Sequence, residues 1–536
     1  MSLQTQNALC EEPPSIFESL EKLKNAIWSR RPILKDIMTK HGGKTLYDYS
    51  LDFLDVNKTP SLDKRKHELF EVVEKLLKAR LGEQTAKKAR KQLEKLPLVS
   101  TADHHGPIIN NPFWINSNII SALPCFGNGC EDLDYLIVFS FASVSANNAS
   151  VYPRGIEFTS SINGSGNFTR IPFLPDKLKM GVVYALRGFT KEDIEKGKNV
   201  LMQKVKDKEV SQELADSVRK YIEEYFENKN ILETPDLNSQ ITKINFKIWP
   251  TLFHNSKSAG KKEKIPDLIY LEIETIVTEL LQKYHLENPD SLIYKLLFNK
   301  EYEGLVYKFF NKIPGAFSLE NHWGTYMFWA IEEKKFHRQG LMLKDGKLCS
   351  EDNNYIFDYT PEIISKALKE KKIYPGMMLC YLLISLYYGM KCLGGFCQVN
   401  DLTMTKYAWE KFLKEVGENE EAEALNPVQT KELGGDGLVL SYLKTSNDNL
   451  INARGIDMIL SDKDTSFERY VNLSKKLTLS EAMNPMLPEM YEVLYSYDDR
   501  DLDLWKTPVD QIFKATGLYK KLVEEMGEVE IRGSPA

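Results

Sequence analysis

The segment Thr101-Ala102-Asp103-His104-His105-Gly106-Pro107, followed by Asn110, Asn111, Asn116 and Asn118, is the densest gathering of chemically capable side chains in the sequence. An imidazole nitrogen binds divalent metals, a carboxylate adds a hard oxygen, and Gly-Pro fixes a turn that would present all three. Asp103, His104 and His105 are therefore candidate ligands of a divalent zinc, iron or manganese ion. Neighbouring residues of an extended chain point to opposite faces, so both rings reach one metal only if the backbone turns there. Two other readings stay open: His104 or His105 as a general base oriented by Asp103, and a buried, hydrogen-bonded turn.

A second constellation is Glu320-Asn321-His322-Trp323-Gly324, with His337-Arg338 some fifteen positions on. In an extended segment Glu320 and His322 share a face and supply two ligands or a carboxylate-oriented base. If they meet the 103–105 turn, His105, Glu320 and His322 form the catalytic set. The competing reading is a solvated loop whose Trp323 packs into the core. Between the two, residues 145–155 mix amides, hydroxyls and a guanidinium. There Arg154 could hold an anionic group bidentately while Asn147 or Asn148 fixes a polar substrate, with Asn111 and Arg338 as further contacts. The same residues also suit turn caps and a surface ion pair.

Two glycine-rich turns complete the inventory. Gly394-Gly395 lies between Cys392 and Cys397, where free core cysteines are favoured over thiol chemistry, and Gly434-Gly435-Asp436-Gly437 reads as a tight turn before it reads as an ion site. Neither Cys125/Cys130 nor Cys392/Cys397 is a CxxC pair, so a four-thiolate zinc site is disfavoured. There is no GxGxxG after a strand and no GxxxxGK[ST], hence no classical Rossmann or P-loop nucleotide motif.

The elements that must position these residues follow from periodicity. Residues 15–98 read as helices, with Ile16, Leu20, Leu23 and Ile27 at helical spacing and breaks at Gly42-Gly43 and Thr59-Pro60. Leu136 to Phe141 reads as a buried strand, and the alternation of Ile244, Phe246 and Ile248 as a half-buried one. Thr190 with Asp193 caps a helix from 191, and Ser211 opens another. Ser256 to Lys264 reads as a loop before a helix opened by Pro266. Met377 to Tyr388 reads as a buried helix, Glu418 to Glu423 as an acidic loop, and Leu438 to Leu443 as a strand. The order is not a regular βαβ alternation, so the expected class is α+β or complex mixed α/β, a helical N-terminal region followed by a mixed-sheet core. The expected regions are 1–98, 99–260 (sheet and helix), 261–410 (helix-rich core) and 411–536 (mixed), packed as one catalytic unit.

With 536 residues, 42% hydrophobic and 27% charged, the chain buries a large core, which excludes a short peptide, a collagen or a disulfide-stapled miniprotein. Its net charge of -6 gives no whole-chain attraction to nucleic acid. Seven cysteines of irregular spacing and the lack of a secretory signal or membrane-length apolar run point to a cytoplasmic protein; oligomeric state is not legible. The expected function is metal-assisted hydrolysis or group transfer on a small polar or anionic metabolite. Its alternatives are a metal-free acid–base enzyme and a non-enzymatic polar-ligand-binding or protein-interaction protein.

Overall fold

The computed structural model describes residues 15–126, 133–161, 167–253, 265–444, 450–460 and 466–526. The expected loop at Ser256 to Lys264 lies outside them, as does Cys130. The architecture is mixed α+β, with a helical N-terminal region ahead of a sheet-containing core.

The N-terminal helices form where periodicity placed them. Ile16–Arg30 starts on a capping box between Ser15 and Glu18 and buries Leu20, Leu23 and Ile27. It packs on the helix Leu487–Leu494, near the other end of the described chain. The helices α1 (Lys66–Leu81) and α2 (Glu83–Lys95) pack together, and the basic face of α2 is solvated.

The chain then enters a four-stranded, wholly parallel sheet. Its strands are β1 (Leu98–Ser100), β2 (Tyr135–Ser140), β3 (Asp267–Glu272) and β4 (Lys391–Leu393), in the spatial order β4-β1-β2-β3. Register runs Val99 with Cys392, Ser100 with both Leu393 and Val138, and Val138 with Tyr270. Both faces are covered, as a parallel sheet requires. Leu136, Val138, Leu268 and Tyr270 face one core, shared with α3 (Pro112–Ala122) and α4 (Leu237–Ile248). Ile137, Phe139, Ile269 and Leu271 face a second core, shared with α1 and α5 (Ile273–Leu280).

The crossovers decide where a site can form. From β1 through α3 to β2, and from β2 past α4 to β3, the chain winds in one direction over the first core. From β3 through α5, on the second core, it returns across the sheet to β4, beside β1. The strand order therefore reverses between β4 and β1. Long insertions, residues 141–266 and 273–390, hide this winding from any local pattern.

Four expected elements differ. Ile244 to Ile248 is the end of helix α4, because Leu237, Ile241, Ile244 and Ile248 form a helical stripe and Asp236 caps it by accepting from Ser239 N. The helix expected from Pro266 is delayed to Ile273, since the run Leu268 to Leu271 is a strand buried on both faces. Asn419–Ala424 is a short helix in place of an acidic loop. The expected strand at Leu438 to Leu443 shortens to Tyr442–Lys444. No helix among the described residues is long and apolar enough to cross a membrane.

Candidate functional site

Past β1 the chain stays paired with the exit of β2: Phe141 N donates to the Asp103 carbonyl, and His105 N to the Phe141 carbonyl, both at 2.8 Å. The backbone remains extended, so side chains 103, 104 and 105 alternate. Asp103 is fully buried and accepts from the Tyr270 hydroxyl, from Asn118 Nδ2 (2.9 Å) and from Ser117 Oγ (3.3 Å). Burial raises its carboxyl to about 6 even against those three donors. His105 is fully buried as well. Its Nε2 donates to the Asn238 carbonyl (3.1 Å) and its Nδ1 pairs with Ser140 Oγ (2.7 Å), while burial lowers its pKa. That places the proton on Nε2 and the Ser140 hydroxyl on Nδ1, which leaves no free lone pair for a metal.

His104 alone of the three opens into a cleft. Its ring meets Trp114 edge-on at 5.3 Å, and its Nδ1 has no partner. Burial pushes its pKa down to about 4; the nearby Asn148 amide works in the other direction and the Arg338 charge adds to the lowering.

The facing wall comes from the exit of β4. The Gly394-Gly395 turn and the Gly434-Gly435-Asp436-Gly437 turn lie against each other, with Gly394 N donating to the Glu432 carbonyl (2.9 Å) and Phe396 N to the Asp436 carbonyl (3.2 Å). Glycine is required by this approach. A Cβ on Gly435 would sit 2.8 Å from Ala102 Cβ, and one on Gly395 would sit 2.9 Å from Asp436 Cβ. Gln398 Nε2 bonds Thr101 Oγ1 across the two strand exits. The helix α6 (Gln398–Glu415) then begins, with Asp401 in its first turn, where its charge suits the helix dipole.

These exits enclose a cleft of about 310 Å³, at the small end of ligand pockets. It lies outside the carboxyl ends of β1 and β4, at the point where the strand order reverses, which is where open parallel sheets generally bind ligands. His104, Trp114, Asp401, Asp436, Phe396 and Glu489 are among its lining residues. Glu489, on α7 (Leu487–Leu494), stands exposed at the mouth. Burial raises Asp401 to about 6, opposed by the Arg31 charge. Burial, then the neighbouring charges of Glu489 and Asp103, raise Asp436 to about 7. Cys397 also lines the cleft, but burial lifts its thiol to about 11, so it stays protonated.

The other predicted residues fall elsewhere. Asn111 caps α3, accepting from Trp114 N (3.0 Å). Asn147 gives its backbone N–H to the Lys179 carbonyl. Asn148 Oδ1 accepts from Ser150 N (3.0 Å), at the His104 edge of the cleft. Arg154 is spent on the Leu174 carbonyl (2.8 Å) and Asp176 (3.0 Å), so it holds its own turn and not a ligand. Glu320 is exposed and paired with Lys312 (3.0 Å). His322, at a φ of 51°, lines a separate open cleft of about 930 Å³ with Arg338, whose guanidinium lies over Trp329. The convergence of Glu320 and His322 with the 103–105 segment therefore does not form. Nor do Asp103, His104 and His105 point together, and no group of three His, Cys, Asp or Glu among the described residues is placed to hold a metal ion.

The sequence reading missed Asp401, Glu489 and Trp114 as site residues and treated Asp436 as a turn. The one available signal was the pair of glycine-rich turns, whose mutual approach is a tertiary fact. No lysine or arginine stands among the described residues lining the cleft.

Asn110 holds the loop that carries Asn148. It is buried, its Nδ2 donates to the carbonyls of Tyr152 (3.0 Å) and Gly155 (2.8 Å), and its Oδ1 accepts from Glu157 N (2.9 Å). Asn110→Ala strands buried backbone groups and should cost roughly 2–3 kcal/mol in urea unfolding. A loss below about 0.5 kcal/mol would contradict this role.

No protein-family model matches the chain, and no curated protein matches it. The class is therefore stated from architecture: a mixed α+β protein whose central parallel sheet carries a small acidic cleft at its strand-order reversal.

Proposed function

We propose that the protein is an enzyme performing acid–base chemistry on a small polar substrate in the cleft between the β1 and β4 exits. The observation that carries this is the pairing, in one small cleft, of an imidazole lowered to about 4 with a carboxyl raised to about 7. Groups whose surroundings drive their pKa values apart are suited to opposite proton-transfer roles. His104 is neutral at physiological pH and accepts a proton at its unpartnered Nδ1. Asp436, protonated in a large fraction of molecules near pH 7, donates one. Trp114 Nε1 and Asp401 Oδ1, both without protein partners, orient the substrate.

Metal-assisted hydrolysis or group transfer is the second reading. It is supported by the free Nδ1 of His104 beside acidic lining groups, with Asp103 and His105 positioning and not ligating.

The test is turnover of a metabolite extract followed by mass spectrometry, with and without added divalent ions. Wild type should consume a substrate, and folded His104→Gln should lose about a hundredfold in rate. Equal turnover by both proteins would overturn the assignment of His104. Turnover only with added ions would move the weight to the metal reading.

A further inference from the structure

Resting on the acid–base reading of the cleft, we infer that its ligand is a small organic ammonium ion, an amine whose charged head sits among Asp401, Asp436 and Glu489 and whose carbon skeleton lies against Trp114 and Phe396. Three carboxylates line the cleft and no lysine or arginine among the described residues does. Buried charge without a counter-charge is costly, and a bound cation removes that cost. Arg31, the cation beside Asp401, is directed instead at Cys397 Sγ (3.6 Å).

Acidity alone would not specify a ligand; the unpartnered atoms do. Trp114 is 4% exposed and Asp401 8%, yet Trp114 Nε1 and Asp401 Oδ1 bond to nothing in the protein. Buried polar atoms are nearly always satisfied, and these two belong to side chains that line the cleft, so a bound ligand is the missing partner. Asp401 Oδ1 accepts an ammonium N–H, and Trp114 Nε1 can donate to an oxygen elsewhere on the same ligand. The walls are aromatic and thioether: Trp114, Phe396, Tyr381 and Met490. Aromatic faces attract organic cations, and such a wall suits a hydrocarbon skeleton. A divalent metal would instead need three or more convergent ligands, and no three His, Cys, Asp or Glu side chains among the described residues are so placed.

Affinity for an ammonium ion should rise as Asp401 and Asp436 ionise, through about pH 6 to 7, while the proton-donor role of Asp436 is confined to molecules in which it keeps its proton. The charged groups facing them are Arg31 at Asp401, and Glu489 and Asp103 at Asp436.

The test is calorimetric titration of the full chain with benzylamine, butylamine, benzyl alcohol, benzoate and magnesium chloride at about pH 6 and about pH 8. The expected result is that an amine binds at least about tenfold more tightly than benzyl alcohol or benzoate, and more tightly at the higher pH. Asp436→Asn, or Asp401→Asn if the first does not fold, should weaken amine binding by about tenfold or more. Benzoate or benzyl alcohol binding as tightly as the amines would overturn the proposal. So would tighter magnesium binding, or a Kd above about 10 mM for both amines. The two readings fail separately: amine binding with unchanged His104→Gln turnover sinks the catalytic reading alone, whereas His104-dependent turnover without amine preference sinks this one alone.

Discussion

Arg80→Met is expected to destabilise the protein by about 3–5 kcal/mol, the cost typical of removing one partner from a buried ion pair. Arg80 reaches from α1 to Glu272, the last residue of β3, with two contacts of 2.5 Å, and the side chains are 9% and 1% exposed. Burial by itself would raise the Glu272 carboxyl. The Arg80 charge and its hydrogen bonds more than reverse that and hold it at about 2. Without Arg80 the carboxylate must either stay charged in the core or take up a proton, and both are unfavourable at neutral pH. Arg80 Nη1 also reaches Thr242 Oγ1 on α4 (3.3 Å), so the pair ties helices on both faces of the sheet to one strand end. The double variant Arg80→Met, Glu272→Leu should recover most of the loss, because the buried charge is then gone too. Urea unfolding of the wild type and both variants is the measurement, and a loss below about 1 kcal/mol in Arg80→Met would contradict the account. Because the folded-state pKa of Glu272 is depressed, its stabilisation is present above the ordinary carboxylate pKa and is lost as pH falls toward about 2.

Asp436→Asn is expected to stabilise the protein relative to wild type by roughly 2–4 kcal/mol more at pH 8 than at pH 5. The sign follows from a folded-state pKa raised from 3.8 to about 7. Between those values the folded chain binds a proton that the unfolded chain has released, so wild-type stability from this group falls as pH rises through the window. Asparagine carries no charge and loses nothing there. The wild-type curve alone would not show the effect cleanly. His104 and His285, held by burial at about 4 and about 3, favour the folded state in the opposite sense as pH rises to their ordinary value. The difference between variant and wild type cancels those histidines. Equal differences at the two pH values would mean that Asp436 is not desolvated in the free protein. A gain in stability together with loss of activity would fit a cleft that holds unfavourable charge for its ligand.

Much of the scaffold was legible in the sequence because it rests on local physics. Leu20, Leu23 and Ile27 recur on one helical face, Thr190 and Asp193 form the capping box that starts Lys191–Lys206, and Leu136 to Phe139 is apolar on both faces of a buried strand. Ile244 to Ile248 misled because a short alternation of apolar residues fits a strand and one edge of a helix equally well; the cap at Asp236 and the wider stripe settled it.

The candidate site was legible only in part. From the sequence alone come the importance of the 101–107 segment, the alternation that prevents His104 and His105 from sharing a partner in an extended chain, and the two glycine-rich turns. Tertiary structure decided which histidine is free. His105 is consumed by Ser140 and Asn238, and Asp103 by Tyr270, Asn118 and Ser117, partners that approach from other strands and helices. It also decided that β4, nearly three hundred residues after β1, pairs beside it and brings Asp401 and Asp436 to the His104 side of the sheet. Parallel pairing between such distant segments leaves no periodic trace, since each strand is only a few buried residues and the register is set by packing on both faces.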